Sequence, residues 1–75
     1  MNSIKVITGS LDVSTRGKRR KAMSLVIVML EKIRNAEEEY MLRMPLNFQL
    51  GEAYSAADQS VDAIIEAVDY LSDAY

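Results

Sequence analysis

Cysteine, histidine and tryptophan are all missing from this 75-residue chain. Without cysteine no disulfide staples the fold, and no thiolate serves as nucleophile or metal ligand. Without histidine the chain lacks the commonest general base and the commonest metal ligand. No glycine-rich phosphate loop, nucleophile elbow or zinc-ligand spacing occurs. The sequence is therefore read as non-enzymatic, with no catalytic residue, no cofactor and no metal. Long apolar runs are missing too. The longest uncharged stretch, Ala22 to Leu30, is nine residues, against about 20 for a membrane span. The first residues, Met-Asn-Ser-Ile-Lys, show no apolar secretory core. A cytoplasmic location with no membrane partner is the expectation.

What is present fits one small folded domain. The chain is 49% apolar and 27% charged with net charge −2, too apolar for a disordered class. At this length a single core is only marginally stable alone.

Residues 1–14 are expected to form an N-terminal arm separate from a helical domain over 15–75. Ile4 with Val6, and Leu11 with Val13, alternate around Gly9-Ser10, which suits a small β-hairpin. A loosely packed arm is the equal alternative, because an isolated hairpin is barely stable in water. Ser14 and Thr15 are candidate N-caps. Arg16, Lys18, Arg19, Arg20 and Lys21 follow, a basic cluster that opposes the dipole of the helix it starts.

From residue 18 to 44 the periodicity is helical. Met23, Val26, Leu30, Ile33, Glu37, Tyr40 and Met44 follow the alternating three-and-four spacing of a helix–helix seam. Pro45, the only proline, ends that helix. A second helix restarts between Asn47 and Gly51, with Asn47 as candidate cap. It carries a seam of Ala53, Ala57, Ser60, Ile64, Ala67, Leu71 and Ala74. Reversal near residue 47 pairs positions whose numbers sum to about 93 or 94, such as Leu30 with Ile64 and Tyr40 with Ala53. Large residues then face small ones. Arg19 and Arg20 come near Asp73, and Phe48 with Leu50 is expected to plug the closed end. The fold class is thus all-α, an antiparallel two-helix hairpin over about 16–44 and 50–75.

Apolar surface remains after this pairing. Leu25, Val28 and Met29 on the first helix, with Val61, Ile65 and Val68 on the second, form a candidate self-association surface. Two hairpins pairing as a homodimeric four-helix bundle would bury it. An acidic stripe, Asp58, Asp62, Glu66, Asp69 and Asp73, is the second candidate face, where a protein partner such as a nuclease could be met by a nucleic-acid mimic. The basic cluster Arg16–Lys21 is the third, suited to phosphates but without interleaved aromatics.

Glu38-Glu39-Tyr40, then Met-Pro-Leu-Asn-Phe-Gln, Tyr54, Ala57 and Val61-Asp62-Ala63-Ile64 with Ala67 and Leu71 form a recurrent pattern. Over residues 18–75 the chain resembles small helical proteins of phages, plasmids and integrated elements of Gram-positive bacteria. It departs from the pattern at Leu46, where Glu is expected, and at Gly51, where Ser is expected. Those proteins have no assigned function, so the resemblance implies a helical hairpin and no site residues. The functional expectation is a small interaction module that self-associates.

Overall fold

The structure, a computed structural model, describes residues 11–75. It is an antiparallel hairpin of two helices, α1 over Arg16–Leu42 and α2 over Glu52–Ser72, joined through a 3-10 turn at Leu46–Phe48. The expected arm hairpin around Gly9-Ser10 lies outside the described residues, and residues 11–13 have no regular secondary structure.

Thr15 starts α1. Its backbone is extended (φ −127°, ψ 163°), and its Oγ1 accepts from the Lys18 amide at 3.1 Å, so one of the orphan amides of the first turn is satisfied. At the other end Pro45 holds φ −57° and ψ 149°, outside helical geometry. The Gln49 side chain turns back, and its Nε2 donates to the Met44 carbonyl at 3.2 Å. Asn47 lies inside the 3-10 turn; the N-cap of α2 is Gly51, which offers no side-chain bond. The Gly51 amide donates to the Phe48 carbonyl at 3.0 Å. A β-carbon here would sit 3.2 Å from that oxygen. Glycine fits this close approach, and Glu52 in the first turn offers charge of the sign the dipole favours.

The packing seam keeps Met23, Val26, Leu30, Glu37, Met44, Ala57, Ile64, Ala67 and Leu71 of the expected positions at least half-buried and departs from them at Ile33, Tyr40, Ala53, Ser60 and Ala74. On α2, Ala57 and Val61 are buried, and Tyr54, Ile64, Val68 and Leu71 are half-buried. These six step regularly by three and four. On α1 the half-buried line is Met23, Ile27, Leu30, Arg34, Glu37, Met41 and Met44. Ile33 is 55% exposed and Tyr40 47% exposed, while Ala53, Ser60 and Ala74 are exposed on α2. Each helix is rolled by about half a position from the expected seam. Val61 and Val68, expected to be surplus, therefore belong to the seam. Phe48 and Leu50 plug nothing: they are 59% and 99% exposed.

The register holds despite the roll. Tyr40 and Ala53 line one cleft with Met44 and Phe48, Met41 and Tyr54 line another, and the Arg16 guanidinium stacks over the Tyr75 ring 4.8 Å away at the far end. The molecule measures 51 × 30 × 14 Å, a slab barely thicker than one helix of about 10–12 Å.

Candidate functional site

Three surfaces compete for function, and each is set by how far round its helix a residue sits from the seam. Successive residues turn by about 100°. In an antiparallel pair of right-handed helices, stripes displaced the same way from the two seams emerge on the same broad face.

Ala22, Val26, Met29, Ile33, Ala36 and Tyr40 form one such stripe on α1, stepping by four and three. On α2 the matching stripe is Ala53, Ala56, Ser60, Ala63, Ala67, Tyr70 and Ala74. Both lie about 100° from their seams in the same sense, so together they make one broad face that carries charge only at its two ends, where Lys18 continues the α1 stripe and Glu52 shares the azimuth of Tyr70. Ile33, Tyr40 and Tyr70, the last 79% exposed, stand on this face. The opposite broad face carries Asp58, Asp62 and Asp69 from α2, and Arg20, Glu31 and Glu38 from α1.

The six residues expected to self-associate do not gather on one surface. Leu25 and Val28, 44% and 51% exposed, stand on the outer edge of α1, away from α2. Met29 joins the charge-poor face. Ile65 is 39% exposed among the aspartates of the opposite face. The seam takes Val61 and Val68. Sequence periodicity carried the signal for the charge-poor face, because its stripes share the heptad steps of the seams. The expected seams straddled the two.

The basic cluster is largely engaged within the chain. Lys18 Nζ lies 2.8 Å from Asp12 Oδ2, Arg19 Nη1 donates to the Val13 carbonyl at 3.0 Å, and Arg16 covers Tyr75. Ser14 donates to Asp12 Oδ1 from both its amide, at 3.0 Å, and its hydroxyl, at 2.7 Å. Lys18 and the two Ser14 donors stabilise the Asp12 carboxylate and lower its pKa from 3.8 to about 2. These contacts strap residues 12–14 to the first turn of α1. The expected pairing of Arg19 and Arg20 with Asp73 is not formed: the ion pairs among the described residues are Lys18–Asp12, Arg34–Glu38 and Arg43–Glu39. Arg20 and Lys21 project from the cluster exposed.

Asp58, Asp62, Glu66, Asp69 and Asp73 are all exposed. Among the described residues no three acidic side chains converge as a metal site, and no helix is long and apolar enough to cross a membrane.

Comparison with family models, with curated proteins and with solved structures returns no match.

One charge sits where none was expected. Arg34 lies on the seam of α1, and its Nε is buried without a hydrogen-bond partner. Glu38 Oε1 is 3.7 Å from it, beyond hydrogen-bonding reach. Glu37, half-buried on the same stripe, makes the middle of the α1 seam polar where it crosses the level of Ala57 and Val61.

Proposed function

We propose that this chain is a non-enzymatic interaction module that works as a self-associated helical hairpin. One observation carries the reading: beyond Ala22, where Leu11 and Asp12 come alongside, the broad face from Val26 to Tyr40 and from Ala53 to Tyr70 is uncharged, with Ile33, Tyr40 and Tyr70 exposed on it. The exposed area agrees. A compact chain of 8.4 kDa exposes about 4,600 Å², whereas this one exposes 6009 Å². The excess reflects the elongated shape of the hairpin as a whole and is of the order of a standard interface. The radius of gyration, 15.7 Å, likewise exceeds the value of about 11 Å for a compact chain of this length.

Chemistry supports the non-enzymatic part of the reading. The chain has no histidine or cysteine, and the α2 carboxylates stand on open helix faces. The nucleic-acid reading loses support because Arg16, Lys18 and Arg19 have partners inside the chain. A mobile-element origin is the setting that the resemblance over residues 18–75 favours, and a cytoplasmic location is proposed by default.

Sedimentation equilibrium over a concentration series tests the reading. The expected mass at tens of micromolar is twice the 8.4 kDa of one chain, returning towards one chain when Ile33 is replaced by Lys. A single-chain mass throughout would overturn it.

A further inference from the structure

We infer that the occupant of the charge-poor face is a second copy of this chain, placed with its α1 along this copy's α2 and with both interhelical turns at the same end. The inference rests on the self-association proposed above and specifies its geometry. Two face-to-face arrangements of a hairpin have twofold symmetry. In one the axis runs parallel to the helices, and each α1 lies on the partner's α2. In the other the axis crosses the helices, so that like lies on like.

Charge separates the two. α1 holds seven Lys or Arg residues against four Glu, whereas α2 holds five acidic residues and no basic one. Stacking α2 on α2 would bring the rim acids Glu52 and Glu66 of both copies together without a counter-charge on either helix, while Asp58, Asp62 and Asp69 stand on the far faces. Stacking α1 on α2 sets opposite signs side by side. The detail along the rim agrees: Lys32 and Arg43 edge the charge-poor face on α1, and Glu52 and Glu66 edge it on α2. With the axis parallel to the helices the partner keeps the hairpin's own register, so Arg43 comes level with Glu52, and Lys32 comes within about a turn of Glu66. With Arg20 itself on the far face, the basic first turns of α1 then lie level with the acidic C-terminal end of the partner's α2. That end has no basic residue in its last turn, and its dipole favours a cation. Volume agrees with charge. The α1 stripe presents Val26, Met29 and Ile33, and the α2 stripe presents Ala67, Ala63 and Ser60 at about the same levels, so large meets small across the interface.

The absence of native cysteine makes the test clean, because any disulfide must join introduced thiols. Ile33→Cys and Ser60→Cys, made in separate chains, lie opposite one another across the inferred interface. A disulfide requires Cα atoms about 5.5–6 Å apart, which diagonal helices of a bundle do not reach. Equal amounts of the two variants, mixed and oxidised mildly after circular dichroism confirms their helicity, should give the mixed disulfide well above the half share of random pairing. Met29→Cys and Ala63→Cys, near mid-length of each helix, should each fail to bridge to their own copy. Efficient self-bridging of either would overturn the inferred orientation while leaving self-association standing. An associated chain in which neither set bridges uses another face, which also overturns it. A chain that stays monomeric overturns the reading beneath, and one that associates only after removal of residues 1–10 assigns the face to that segment instead of a second copy.

Discussion

Val61 and Ile65 occupy consecutive turns of α2, yet the structure gives them opposite roles. Val61 is 5% exposed and Ile65 39%. Val61→Ala should cost about 2 kcal/mol through lost burial and an unfilled space. Ile65→Ala should stay within about 0.5 kcal/mol, as for most surface changes. Denaturant unfolding of the two variants distinguishes them; equal losses would mean that the seam does not run through Val61. Asp12 gives a second residue-scale prediction. Its folded pKa, about 2, lies below the ordinary 3.8. The strap's contribution is therefore complete above pH 3.8 and is lost as pH falls towards 2. The Ser14 amide resonance should titrate with a midpoint near 2, and Asp12→Asn should abolish that titration. A midpoint near 3.8 would show that the Lys18 and Ser14 contacts are not made in solution.

At the scale of the element, most of each helix was legible and its rotation was not. Pro45, the capping hydroxyl of Thr15 and the heptad spacing were enough to place two helices and their register. Phase was harder, because α1 has two apolar stripes about 100° apart. A reading that maximises apolar content selects Ile33 and Tyr40, whereas the structure turns Arg34 and Met41 inward. Periodicity reports the step of a stripe and cannot choose between two stripes with the same step. The cap of α2 was missed for a related reason: glycine caps through backbone geometry, which side-chain chemistry does not announce. The turn residues Phe48 and Leu50 looked apolar enough to be buried, yet the hairpin closes without them. The inward turn of Arg34 makes its own prediction. Arg34 is half-buried and its Nη2 donates to Asn35 Oδ1 at 3.2 Å, but its Nε is buried unpartnered, a cost that a similar-sized apolar residue avoids. Arg34→Leu should stabilise the hairpin by about 1 kcal/mol, read as a higher denaturant midpoint at unchanged slope. A loss of stability would mean that Arg34 finds partners in solution that the static hairpin lacks.

At the scale of the whole molecule, the hairpin is polarised twice. One broad face carries charge only at its ends and the other is mostly acidic. Across the slab, α1 is net basic and α2 net acidic. A self-associated form stabilised by that second polarity should weaken as salt rises, since exposed rim pairs are screened over about 8–10 Å at ordinary ionic strength. Its melting temperature should also climb with protein concentration. Over a roughly hundredfold range, mass action supplies about 2.7 kcal/mol per associated pair. A melting temperature independent of concentration would mean that the single hairpin carries its own stability.

The 14 Å thickness of the slab has a consequence for how such a protein would live in a cell. A chain one helix deep owns almost no interior by itself, so under the proposed self-association dilution would act on it as a denaturant does. Newly made copies at low number would be open to proteases, and copies made in a burst would shield one another. Its lifetime would then follow its own synthesis rate, with no dedicated regulator required.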